Sequence, residues 1–137
     1  MISVTSITDR YILQPSLLNK HKKSLEWISA TVLWKREVSF FQKLLDQYAP
    51  GFTSSEDKER LAHFQNLITY YNGELIDTFA SRLREHEKQL AQMLASRDES
   101  KTGYFQEHEA LMAELENLNR QLAEYKEEFF GFIEKAL

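Results

Sequence analysis

The sequence predicts an all-α protein: an elongated antiparallel up-down-up three-helix bundle of the coiled-coil type with a short N-terminal arm. Apolar residues recur three and four positions apart through three long segments, which is the spacing of one helix face. Glycine and proline number only four and two in 137 residues, and most of them lie between those segments, where they indicate turns. Short connections of this kind make neighbouring helices antiparallel.

The first predicted element is an N-terminal arm, residues 1–15, which ends at Pro15. Its apolar side chains are numerous enough to dock on a surface. The sequence does not decide whether that surface belongs to its own bundle or to a neighbouring chain. Residues 16–137 are predicted to form one domain, because a chain of 137 residues with 42% apolar content suits a single core.

The first helix is predicted over about 16–48. A broad apolar face defines it, with lysine and glutamate between its members: Leu25, Ile28, Val32, Trp34, Val38, Phe41, Leu45 and Tyr48. The helix ends at a turn-forming stretch, residues 49–55, which contains Pro50 and Gly51.

The second helix is predicted over about 55–96. Thr53, Ser54 and Ser55 offer side-chain oxygens to a helix N-terminus, and acidic residues follow directly. The dipeptide at 72–73, Asn-Gly, is typical of a turn and would split this segment into two helices. Apolar residues keep helical spacing through it, so we favour one continuous helix, with a local bend left open.

The third helix is predicted over about 103–136 by a heptad seam of more than four repeats. Its members are Tyr104, His108, Leu111, Leu115, Leu118, Leu122, Tyr125, Phe129, Phe132 and Ala136. In an up-down-up bundle the first and third helices run parallel. The first is net basic and the third strongly acidic, so we expect a basic flank of one beside an acidic flank of the other.

Aromatic residues are more numerous than a slim three-helix core can bury, because several are adjacent in sequence and therefore point about 100° apart. Such a surplus predicts an exposed interface, and we expect it to form a homodimer. The residues assigned to this interface are Trp27, Trp34, Phe40, Tyr70 and Phe130. An unrelated protein partner and a thicker monomeric core covered by the arm are the alternatives.

Three histidines suggest a different kind of site. Folding the helices back on one another brings His21, His86 and His108 to one end of the bundle, beside Glu87 and Glu109. Imidazoles with carboxylates bind transition metals in bundle cores. The Glu-x-x-His and His-Glu-x-x-His signatures of such sites are absent. The other interpretation is that these histidines are partly buried seam residues that hydrogen-bond a carboxylate or each other and fix the helix register.

The sequence gives no indication of catalysis or of a bound cofactor, since it has no glycine-rich phosphate loop, nucleophile elbow or cysteine. A net charge of −4 suits nucleic acid poorly, and no segment is apolar over the length of a membrane span. We therefore expect a cytoplasmic, non-enzymatic interaction or scaffold protein that acts through self-association or a protein partner. The alternative is a metal- or small-ligand-binding bundle built on the three histidines.

Overall fold

The computed structural model describes residues 15–96 and 102–137. The predicted arm, apart from Pro15, and most of the connection between the second and third predicted helices, residues 97–101, lie outside these residues. The described residues are almost entirely helical and contain no strand. The helices are α1 (Pro15–Tyr48), α2 (Ser55–Tyr70), α3 (Ile76–Ser96) and α4 (Thr102–Ile133), with short 3-10 turns at Ala49–Gly51 and Glu134–Ala136. The predicted all-α three-helix bundle is confirmed, because α2 and α3 are halves of one continuous second helix.

Successive helices are antiparallel, as an up-down-up order requires: as residue numbers rise along one helix, those of the contacting residues in the next helix fall. The contacts are Lys35–Asp77 and Gln42–Gln65 between α1 and the second helix, and Arg82–Glu114 and His86–His108 between α3 and α4. With 34 residues α1 is about 50 Å long at 1.5 Å per residue, so the bundle is elongated.

The first and last helices lie side by side in parallel. Lys126 Nζ is 2.9 Å from the Glu37 carboxylate, and one turn further the rings of Phe41 and Phe130 meet edge-on at 5.5 Å. This ion pair reverses the charges that the expectation of a basic flank on α1 and an acidic flank on α4 implies. In the described part of the chain, it is the one ion pair between these helices. Net helix charge fails as a guide because most acidic residues of α4 face solvent.

The heptad seam of α4 is buried almost as predicted. Every member from Tyr104 to Phe132 is less than 9% exposed, and Ala136 is half-buried. Phe129 and Phe132 meet Phe64 of α2, with ring centroids 5.7 and 5.2 Å apart. Phe52 from the first turn stacks on Phe132 at 4.3 Å, and so closes that end of the core.

The second helix begins where its capping residues predict. The Ser54 hydroxyl accepts a hydrogen bond from the Asp57 backbone N–H at 3.1 Å. At the Asn-Gly dipeptide the chain forms a five-residue π-helix, Tyr71–Leu75, and does not turn back. This wide turn takes up one extra residue, so Ile76 is fully buried in the core, whereas Leu75 is only partly buried against it. The prediction of a continuous helix is confirmed, and the structure adds that the helix contains one π-helical segment.

The predicted core face of α1 is wrong at two positions in the N-terminal and central parts of the helix. Leu25 and Val32 were assigned to that face, yet both side chains point to solvent. The neighbouring residues Ser24 and Thr31 are buried in their place. Adjacent positions differ by about 100° around a helix, so shifting the buried arc by one residue exchanges an apolar face for a partly polar one.

Candidate functional site

A row of large apolar side chains lies on the solvent side of α1. Leu25, Val32, Leu33 and Phe40 are 46%, 58%, 57% and 55% exposed. At about 100° per residue they fall within an arc of roughly 100°, and the core residues of α1 occupy the opposite side of the helix. We call the surface formed by these four residues, with Ser29 and Arg36 between them, the outward face of α1.

The outward face is notable because of what α1 buries in its place. Ser24 and Thr31 are 0% and 2% exposed. The Thr31 hydroxyl donates to the Ile28 carbonyl at 2.7 Å, whereas the Ser24 hydroxyl has no hydrogen-bond partner among the described residues. Isolated exposed leucines are ordinary on protein surfaces, but a contiguous apolar row on one helix, with polar residues on the buried side, marks a contact surface.

The residues predicted to form an interface divide into two groups. Phe40, Tyr70 and Phe130 are exposed by 43 to 55%, so they are accessible to a partner. Trp34 is 4% exposed and belongs to the core, and its assignment to an interface is wrong. Trp27 is half-buried against that core, 5.8 Å from the Trp34 ring. A single helix can direct both tryptophans inward because they are seven residues apart, which is nearly two full turns.

A buried pair of histidines interrupts the core near the N-terminal end of α1. His86 Nε2 of α3 lies 2.9 Å from His108 Nδ1 of α4, and the side chains are 0% and 6% exposed. The Tyr104 ring stacks on the His86 ring, with centroids 4.2 Å apart and planes 1° from parallel. We call His86 and His108 the histidine layer. It lies between the main apolar core and a smaller apolar cluster, which is formed by Leu17, Leu90, Met93 and Tyr104.

Burial keeps both imidazoles neutral near pH 7. It lowers the pKa of His86 from 6.5 to about 4. It also lowers the pKa of His108 to about 4, with smaller contributions in the same direction from His86 and Lys20 and an opposing one from Glu109. Burial raises the pKa of the Tyr104 phenol well above its usual value, so that group also stays uncharged.

The hydrogen bond between the two rings has a preferred direction. His86 Nδ1 is buried and has no partner within the described chain. If His86 accepted the bond at Nε2, its Nδ1 would carry an unpaired buried N–H, which costs more than an unpaired acceptor. We therefore assign His86 Nε2–H as the donor and His108 Nδ1 as the acceptor.

The predicted metal ligands do not come together as one set. His21 Nδ1 lies 2.6 Å from a Glu87 oxygen, on a partly exposed side of the bundle, and Glu109 faces solvent. Two imidazoles on a tetrahedral zinc would hold their nitrogens about 3.3 Å apart, but His86 Nε2 and His108 Nδ1 are only 2.9 Å apart and are joined by a hydrogen bond. In residues 15–96 and 102–137, no group of three or more histidine, aspartate or glutamate side chains is arranged to hold a metal ion.

These observations describe two separate features: an exposed apolar face on α1 and a buried, neutral histidine layer. The pattern of α1 already contained a signal for the first, since its apolar residues occupy two opposite arcs. The stacking of Tyr104 on His86 had no sequence signal beyond their places in two apolar stripes. No helix of the described residues is both long and apolar enough to cross a membrane. No protein-family model, curated protein or solved structure matches the chain.

Proposed function

We propose that this chain is a non-enzymatic helical scaffold protein that acts by self-association through the outward face of α1. The observation that carries the proposal is the exposure of Leu25, Val32, Leu33 and Phe40 in one row. A monomer gains nothing from apolar residues in these positions, whereas a partner helix laid along the row would remove them from water.

The ends of the face are suited to an interface rim. Lys22 and Lys43 are exposed and fall on the same arc as the apolar row, beyond its two ends. Charged side chains around an apolar centre are the usual composition of protein contact surfaces.

A second copy is the partner that this proposal selects, since homodimers are the most frequent assemblies of soluble proteins and need no further component. The association requires no disulfide, which agrees with the absence of cysteine and with work in a reducing compartment such as the cytoplasm. The buried histidine layer then has a supporting role: it fixes the register of α3 against α4, and so gives the bundle a defined shape.

Substitution on the outward face tests the proposal. Leu33→Glu places a carboxylate in the middle of the apolar row, and we expect it to raise the dissociation constant of the dimer at least tenfold, or about 1.4 kcal/mol. Leu137→Glu is the matched control, because Leu137 is 78% exposed and lies outside α1, directly after the 3-10 turn Glu134–Ala136. Sedimentation equilibrium over a range of protein concentrations measures both constants. Equal dissociation constants for the two variants would refute the proposed surface.

A further inference from the structure

The apolar residues of the outward face of α1 lie at equal distances on either side of one point along the helix. This midpoint lies between residues 32 and 33. Residues at equal distances from that midpoint form three pairs: Val32 with Leu33, Ser29 with Arg36, and Leu25 with Phe40. All six residues fall on the exposed arc. The two apolar pairs therefore stand at mirrored positions about one point.

A two-fold symmetric dimer uses the same surface on both chains, so residue i meets residue j and j meets i. We infer that two copies of this chain pair antiparallel along α1, with the two-fold axis between Val32 and Leu33. Leu25 of each chain then packs against Phe40 of the other. This inference rests on the proposed function and adds the orientation and register of the contact.

The charged residues favour the antiparallel orientation over a parallel one in register. Parallel pairing would set Arg36 against its own copy, in the middle of the apolar row, where two guanidinium groups repel. Antiparallel pairing sets Arg36 against Ser29, whose hydroxyl oxygen can accept its hydrogen bond. The remaining like-charged contact is Lys22 with Lys43 at the solvent-exposed ends, where long side chains can turn apart and solvent screens them.

Chemical crosslinking of full-length variants distinguishes the two orientations, and the native chain contributes no thiol of its own. The variants are Val32→Cys, Leu25→Cys and Phe40→Cys, treated with a short bismaleimide. In the antiparallel register the two copies of residue 32 are about 1.5 Å apart along the helix axis, whereas two copies of residue 25 are about 22 Å apart. Ala113→Cys, an exposed position on α4, reports random collisions.

We expect Val32→Cys alone, and a mixture of Leu25→Cys with Phe40→Cys, to give covalent dimers in at least tenfold greater yield than Ala113→Cys. Leu25→Cys alone and Phe40→Cys alone should stay at the collision level. Strong crosslinking of each of these with itself would show a parallel pair and overturn the inference.

Sedimentation of the same samples separates the two levels of the proposal. A dimeric mass without crosslinks at residue 32 would overturn the register and leave self-association standing. A mass of one chain would overturn both, and would leave the outward face to another occupant, either residues 1–14 of the same chain or a different protein.

Discussion

Lowering the pH from 7.5 to 5 should destabilise the bundle through His86 and His108. The pKa of each is about 4 in the folded chain, against 6.5 as the ordinary value. The unfolded chain therefore binds more protons as the pH falls below 6.5. The stabilising contribution of the neutral pair is complete above pH 6.5 and is lost progressively down to about pH 4.

The structure sets the size of this loss. A histidine with these two pKa values loses about 2 kcal/mol of unfolding free energy between pH 7.5 and pH 5. Both rings are almost fully buried, so solvent screening does not reduce the figure much. Because the two rings share a hydrogen bond, protonation of one affects the other, and we expect about 2 to 4 kcal/mol for the pair. Folded domains are typically stable by only about 5 to 15 kcal/mol, so the change is readily measurable.

Urea unfolding at pH 7.5 and pH 5, followed by circular dichroism at one fixed protein concentration, measures the loss. The double variant His86→Leu/His108→Leu removes both titrating groups and leaves no buried polar atom unpaired at either position, so it should fold and lose much less stability at pH 5. His63→Gln, at an exposed position on α2, is the control and should behave as the unmodified chain. The pH stays at 5 or above because carboxylates protonate below it.

The same loss of stability in the double variant and in the unmodified chain would refute the reasoning. It would mean that groups other than His86 and His108 carry the pH dependence between pH 7.5 and pH 5.

Two further pairs of substitutions test the helices themselves. Gly73→Ala should stabilise the chain by about 0.5 to 1 kcal/mol, because a Cβ at this helical position meets nothing within 4 Å. Gly131→Ala is the matched change in a regular α-helix. A loss of stability confined to Gly73→Ala would show that the π-helix needs glycine. Trp34→Ala should destabilise the monomer by about 3 to 5 kcal/mol, because it truncates a core side chain. Phe40→Ala on the outward face should change monomer stability by less than about 1 kcal/mol. Urea unfolding at low protein concentration measures both changes, and similar losses in the two variants would contradict the burial described for α1.

Most of the helical architecture could be read from residue spacing. The seam of α4 was predictable because its ten members repeat without interruption, so only one face of that helix can enter a core. The π-helix was not predictable, since an extra residue in a helical turn changes the spacing only slightly, and both Leu75 and Ile76 are apolar. Spacing also could not choose between two apolar arcs of α1, and that choice decided the assignments of Leu25, Val32 and Trp34.

The histidine site was predictable only in part. Counting residues back from the turns brought His86 and His108 to similar heights, and the structure joins them by a hydrogen bond of 2.9 Å. The same counting placed His21 beside them, although its side chain contacts Glu87 instead. Height along a bundle follows from chain length, but the direction of a side chain depends on helix rotation, which the sequence pattern fixes less well.

If the outward face of α1 joins two copies of this chain, the mass of the unmodified protein in solution must depend on its concentration. Sedimentation equilibrium from low to high micromolar concentration should show a reversible rise from the 16.2 kDa of one chain to twice that value. A mass that stays at that of one chain throughout the range would show that the outward face does not join two copies.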